Sequence, residues 1–260
     1  MSEAAKAPET AMPVLLREDK SAIATLTLNR PKARNSLSEE LMQALLGEVE
    51  KIGADPDLNV IILKANGPGF CAGHDLKELT AARTEGDKGR GYYTRIMKLC
   101  SRMMQAIVQC PKPVIGAING ACAGLGLVVS LFCDLRFASE EAKFTTSFAQ
   151  RGLVAEHGIA WLLPRLIGSA HALDLLMSAR KIDGREAARL GLVNQAFPAD
   201  KFMEEGIAYA RRMAANVSPR SMAVMKRQVY KSLFQDFNQS TDMADKEMQA
   251  SFKSADFKEG

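Results

Sequence analysis

The sequence is notable first for what it lacks. No run approaches the ~18 consecutive apolar residues a membrane-spanning helix needs, so no membrane association is expected. The five cysteines, at 71, 100, 110, 122 and 133, are odd in number and form no C-x-x-C pair. That pattern suits reduced, mostly buried thiols in a cytoplasm and excludes both a disulfide framework and a zinc module. The three histidines, His74, His157 and His171, have no metal-ligand spacing, so no metal site is expected. Charge of one sign is missing too: 34 Lys and Arg face 30 Asp and Glu, for a net charge of +4 spread along the chain. A nucleic-acid groove needs more focused charge, whereas a mild preference for a phosphorylated ligand remains open. The opening "MSEAAKAPETAMP" has neither a basic start with an apolar core nor an Arg-rich character. Residues 1–12 are therefore expected to be a flexible leader. The ending "ADFKEG" carries no peroxisomal tripeptide, and a cytoplasmic protein is expected. Finally, Gly120-x-x-x-Gly124-x-Gly126 does not match the dinucleotide fingerprint, no Lys-Ser or Lys-Thr follows it, and no nucleophile elbow is present. Nicotinamide, ATP and Ser/His/Asp chemistry are set aside.

What is present reads as a globular α/β chain, 47% hydrophobic and 25% charged. "AIATLTLNRP" alternates and stops at a proline, as a strand and turn do. In "NSLSEELMQALLGEVEKIGAD", Ser36 and Glu39 have capping-box spacing, Leu41, Leu45, Val49 and Ile52 share a face, and Gly53 ends the helix. "NVIILKA" is a buried parallel strand by its continuous apolar character. Asp75 is placed at a helix start, and residues 84–91 read as a mobile polar loop. A helix over about 92–109 presents Tyr93, Ile96, Met97, Cys100, Met104 and Ile107, its methionines taken as core filler. Strands continue to alternate with helices, which implies βαβ units and a largely parallel sheet; after about 160 the signals turn helical. The later helices carry apolar positions at Met213, Val217, Met222, Met225, Val229 and Leu233 that one domain need not bury internally.

Two segments share a plan of buried strand, glycine turn and helix start: "NVIILKANGPGFCAGHDL" and "KPVIGAINGACAGLGLVVS". Each turn frees backbone N–H groups, since the first amides of a helix lack intrahelical partners, and two such donors can hold an oxyanion. Taken alone, either turn reads as close packing before it reads as an anion site, and His74 as a polar turn residue before a base. "GLVAEHGIAWLLP" sets Glu156 inside an apolar run, where an unpaired charge is costly. By itself the run reads as an acid in the first turn of a helix.

"NRPKARNSLS", "FCAGHDLKEL", "KPVIGAINGACAGLGLVVSLFCDLRFAS" and "GREAARLGLVNQAFP" resemble, in order, signatures of the crotonase (enoyl-CoA hydratase/isomerase) superfamily, over about residues 14–235. The resemblance implies an α/β spiral of ββα units over 13–197 and a C-terminal helical trimerisation region over 198–260, as a trimer or a dimer of trimers. It implies an acyl-CoA thioester as ligand, with coenzyme A part of the substrate and no separate cofactor. By position, it makes the N–H groups of Ala72 and Gly124 the oxyanion hole. Ala33 and the run Ala72, Gly73, His74, Asp75 and Leu76 would follow the coenzyme A chain. Gly120 would lie by the substrate, and Lys226 would reach a coenzyme A phosphate from a neighbouring subunit. The two glutamates of the family's hydratases align with Val128 and Phe148, which are apolar here and would shape a water-excluding acyl pocket. "GLVAEHGIAWLLPRLIG" is similar to the isomerase branch, where one acid at the position of Glu156 is the base. A relative that rearranges a ring-epoxide acyl-CoA shares the "WLLPR". The expected function is thus an enoyl-CoA isomerase. The alternatives are a hydratase using Glu156, or a non-catalytic CoA-binding or RNA-associated scaffold, which needs no pocket-facing acid. For His157, a hydrogen bond to the site and an outward orientation both stay open.

Overall fold

Alternation in the first apolar segment builds one edge of the main sheet: Leu15–Lys20 (β1) pairs antiparallel with Ile23–Leu28 (β2). In the computed structural model, residues 12–84, 87–254 and 256–257 are described; the expected leader lies outside them except for Met12. Helix α1 (Glu39–Ala54) buries Leu41, Leu45, Val49 and Ile52, as their spacing predicts. Its cap is Ser38 rather than Ser36: the Ser38 hydroxyl accepts from the Leu41 amide, while the Ser36 hydroxyl donates to Asp75 instead. The helix runs one residue past Gly53.

Three turns of a spiral follow. Val60–Ala65 (β3) leads to the short Gly69–Cys71 (β4), then to Leu76–Thr84 (α2) and Asp87–Gln109 (α3). Val114–Ile118 (β5) leads to Ala121–Ala123 (β6) and Leu125–Phe132 (α4). Leu135–Ser139 (β7) leads to Lys143–Thr145 (β8), and then to Ile159–Ile167 (α5) and Ser169–Ser178 (α6). Each turn thus places one strand in each of two sheets. The long strands join the six-stranded sheet β1-β2-β3-β5-β7-β10, and the short ones join the four-stranded sheet β4-β6-β8-β9, in which β9 is Ile182–Asp183. From β2 onward the larger sheet is parallel throughout. The segment read as a mobile loop, 84–91, is helical from Asp87. Its polar residues form the first turns of α3, ahead of an apolar stripe that begins with the cavity-lining Tyr93; residues 85 and 86 lie outside the described residues.

Gly184–Leu190 (α7) and Gln195–Phe197 (β10) close the spiral, and Phe202–Asn216 (α8), Pro219–Ser232 (α9) and Phe237–Ser251 (α10) complete the chain. The main core lies between the two sheets and the helices. A second apolar layer covers the other face of the large sheet, where Phe202 and Ala210 of α8 meet Ile23, Val60, Ile62, Ile115, Ala117 and Phe137. The helical region expected over 198–260 therefore begins as a layer of the core. Met213 packs on that layer and Met222 is buried, whereas Val217, Met225, Val229 and Leu233 are exposed. No helix among the described residues is long and apolar enough to cross a membrane.

Candidate active site

Two glycine turns at the ends of β4 and β6 meet beside a cavity of about 540 Å³. The first is pinned from below by Asn35, fully buried, whose amide donates to the carbonyls of Asn66 (2.9 Å) and Gly69 (3.0 Å). Leu37 then pairs with the turn, its N–H donating to Gly73 O (2.8 Å) and its carbonyl accepting from the Asp75 amide (3.1 Å). Gly73 has φ +96°, and a Cβ there would sit 3.0 Å from Ala123 O and 3.3 Å from the Leu125 amide nitrogen. Only a residue without a side chain fits both constraints, so Gly73 lets the turns touch.

The hydrogen bonds of these turns correct the expected donor pair. The Ala72 amide donates to Arg34 O, and the Gly124 amide donates to Thr145 O, each at 3.1 Å. Both are used internally. The amides of His74 and Leu125 donate to no other described residue, and both residues line the cavity. Leu125 is the first residue of α4, whose leading N–H groups also carry the positive end of the helix dipole. The helix-start rule could have pointed to Leu125, one residue beyond the glycine.

Leu76, Leu79 and Thr80 from α2 cover the cavity with Tyr93, Ile96 and Met97 from α3. Met103 and Met104 are core, as expected, but Met97 is exposed into this space. The opposite wall is Thr146, Ser147, Phe148, Arg151, Leu153 and Glu156. No sequence signal marked Thr146, Ser147, Arg151 or Leu153.

Several expected site residues lie elsewhere. Asp75 is buried behind the turn, where its carboxylate meets Arg30 Nη1 at 2.9 Å and accepts from the Ser36 hydroxyl and the Lys77 amide. Burial works to raise its pKa, but those three donors outweigh it and hold the carboxyl below the usual range. Ala33 sits in a short 3-10 turn, Pro31–Ala33, and does not line the cavity. Gly120 is a packing residue, since a Cβ would fall 2.1 Å from Pro68 O. Val128 is fully buried core and forms no part of the cavity wall, whereas Phe148 does. Lys226 is not available to a ligand: its ammonium meets Asp134 at 2.7 Å and donates to the carbonyls of Ile107 and Lys112.

Glu156 precedes α5 by three residues, and Gly158 is the N-cap, with no side-chain capping bond. The carboxylate is therefore not a helix cap. It is the one acidic side chain among the described residues lining the cavity, and burial raises its pKa. Next to it His157 adopts φ +54°, an uncommon backbone for a non-glycine residue. Its side chain is only 1% exposed, with Nε2 3.6 Å from the Glu156 carboxylate, too long for a hydrogen bond. Burial lowers its pKa, and burial together with His157 pushes His74 down to about 4. Both rings are neutral near pH 7. Sequence spacing offered no metal-ligand cluster, yet the fold brings His74, Cys100 and His157 together.

Comparison with known proteins gives concordant matches. A family model described as "Enoyl-CoA hydratase/isomerase" matches residues 18–260. The chain is 32% identical over 225 residues to an Arabidopsis thaliana protein named Delta(3,5)-Delta(2,4)-dienoyl-CoA isomerase, peroxisomal, covering 84% of this chain and 81% of that protein. It is 31% identical over 253 residues to the rat enoyl-CoA hydratase domain-containing protein 3, mitochondrial, covering 97% and 82%. Among solved structures, one described as a putative enoyl-CoA hydratase from Streptomyces coelicolor superposes with a TM-score of 0.88 at 28% identity, covering 99% of this chain and 94% of that one.

Proposed function

This chain belongs to the enoyl-CoA hydratase/isomerase family, and within it we propose an enzyme that shifts the double bond of an enoyl-CoA thioester. The observation that carries this reading is that Glu156 is the one carboxylate among the described residues lining the cavity, while both hydratase positions are apolar, Phe148 in the same wall and Val128 in the core behind it. The thioester oxygen accepts from the amides of His74 and Leu125, so that charge developing on it meets donors already in place. Losing one such donor typically costs about 3–4 kcal/mol of barrier. Glu156 takes a proton from C2 of a 3-enoyl thioester, and the electrons pass through the dienolate. The same carboxyl returns a proton at C4 as the double bond settles between C2 and C3. Burial raises the pKa of this base, which suits a group that must both take and return a proton. One carboxylate moves a proton between two carbons but leaves no second acid to orient a water, which favours isomerisation over hydration. A scaffold would need no such acid in the cavity.

The test uses the purified protein with 3-enoyl-CoA and 2-enoyl-CoA, following isomerisation and hydration separately. Isomerisation with little hydration is expected; hydration without isomerisation would overturn the reading in favour of a hydratase using Glu156. The same reading includes assembly into a trimer or a dimer of trimers, supported by the exposed Met225, Val229 and Phe237 of the last two helices and Phe234 between them. Sedimentation at micromolar concentration should show at least a trimer, and a monomer would contradict it.

A further inference from the structure

Behind the wall that carries Glu156, the chain gathers three metal-ligating side chains that the reaction above does not use as side chains. One ring nitrogen each of His74 and His157 and the Cys100 sulfur lie within 4.8 Å of one another. Cys100 Sγ is 4.0 Å from His74 Nε2, and the two imidazole centroids are 5.8 Å apart. The cluster is assembled by three separate elements: the β4–α2 turn, the middle of α3, and the segment before α5. His157 is aimed inward by its left-handed backbone, and its Nε2 is buried with no hydrogen-bond partner. Burying a polar nitrogen without a partner is destabilising, so packing alone does not account for the placement of this ring. A second cavity, about 370 Å³ and lined by His157, Trp161, Tyr230 and Phe234 among others, reaches the cluster from the other side and offers an entry path.

We propose that His74, Cys100 and His157 form a binding site for a divalent cation of the zinc class, with Glu156 at its open side. Two imidazoles and a thiolate match the donor preferences of zinc, which sits about 2.0–2.3 Å from such atoms. Tetrahedral binding at those lengths needs ligand atoms roughly 3.3–3.8 Å apart, so side-chain shifts of about 1 Å close the site. Both histidines offer neutral nitrogen lone pairs. Cys100 releases its thiol proton to solvent as the metal–sulfur bond forms, and no oxidant or reductant is involved. The Glu156 carboxylate, 3.6 Å from His157 Nε2, is within reach of the fourth position. Occupation therefore withdraws Glu156 from proton transfer, and the metal inhibits. This last consequence rests on the proposed role of Glu156, whereas binding does not.

Binding is read without any assay of turnover. The chelator-treated protein is titrated with cobalt(II) alone. A stoichiometric complex with a thiolate-to-cobalt charge-transfer band is expected, displaced by zinc, and the band should be absent in Cys100→Ser. His157→Gln should weaken cobalt affinity at least about tenfold. A wild-type protein without that band, or equal cobalt affinity in Cys100→Ser, overturns the site; the wild-type spectrum decides even if a variant fails to fold. In parallel, zinc should suppress enoyl-CoA turnover in the wild type and spare it in Cys100→Ser, whose side chain lies outside the reacting cavity. Zinc bound with turnover unchanged refutes the link to Glu156, while absent turnover in metal-free protein counts against the isomerase reading and leaves the cobalt result to judge the site.

Discussion

Lys226 and Glu156 are both ionisable groups set among apolar neighbours, and the fold treats them in opposite ways. Around Lys226, every donor is satisfied: Asp134 at 2.7 Å, two backbone carbonyls, and a Tyr230 hydroxyl that donates to the same carboxylate at 3.1 Å. Asp134 also accepts from the Val114 amide, so the network ties α9 to the start of β5. Around Glu156, no described group completes the carboxylate; its nearest charged or chargeable neighbour is a neutral histidine beyond hydrogen-bonding distance. A completed ion pair holds the structure together, whereas an uncompleted acid facing a cavity suits the proton transfer proposed above. Burial alone does not separate the two, but partner geometry does.

The contrast separates stability from chemistry at Lys226 and Glu156, with the residues between them graded by their distance from the cavity. The largest stability loss is expected at Lys226→Ala, which strands the buried Asp134 carboxylate; removing one member of a buried pair costs about 3–5 kcal/mol. Denaturant melts of the variant should show it, while acyl-CoA affinity per folded molecule stays the same. Asp75→Asn weakens the pair with Arg30 beneath the first glycine turn, and a loss of about 1.5–3 kcal/mol is expected for charged hydrogen bonds of this kind. Because that turn carries the His74 amide, the same variant should also lower turnover, which distinguishes it from Lys226→Ala. Ser38→Ala removes the cap of α1 far from the cavity and should cost about 1 kcal/mol with turnover unchanged. Smallest of all is the stability effect of Glu156→Gln, within about 0.5 kcal/mol, since no contact of the carboxylate holds the fold. A large destabilisation there would erase the contrast with Lys226.

What could be read from the sequence follows the range over which each feature is determined. The stripe of Leu41, Leu45, Val49 and Ile52 and the apolar strand Val60–Ala65 depend on local periodicity, and both were legible. The strands β4, β6 and β8 are three residues each, too short for a period, and looked like parts of glycine turns. The amides free to donate lie one or two residues from the expected pair for a different reason. Whether an amide is free depends on acceptors far along the chain, Arg34 O for Ala72 and Thr145 O for Gly124, which no motif in the turn itself encodes. The resemblance alone points to Lys226 as a ligand contact, and the partners that occupy its ammonium instead, Asp134 and the carbonyls at 107 and 112, are equally remote in sequence. The gathering of His74, Cys100 and His157 is likewise a product of the spiral, which returns distant segments to one wall. Glu156, by contrast, was conspicuous as a charge in an apolar run. Its sequence left open whether it capped a helix or faced a cavity, and the position of Gly158 as the cap resolves that choice.

The most direct measurement compares wild type and Glu156→Gln for turnover of a 3-enoyl-CoA alongside acyl-CoA affinity by calorimetry, using chelator-treated protein. The amide keeps the shape of the carboxyl but cannot accept the proton. Turnover should fall by about two to four orders of magnitude while the dissociation constant of the acyl-CoA changes little. Equal turnover by the two proteins would contradict the assignment of Glu156 as the base.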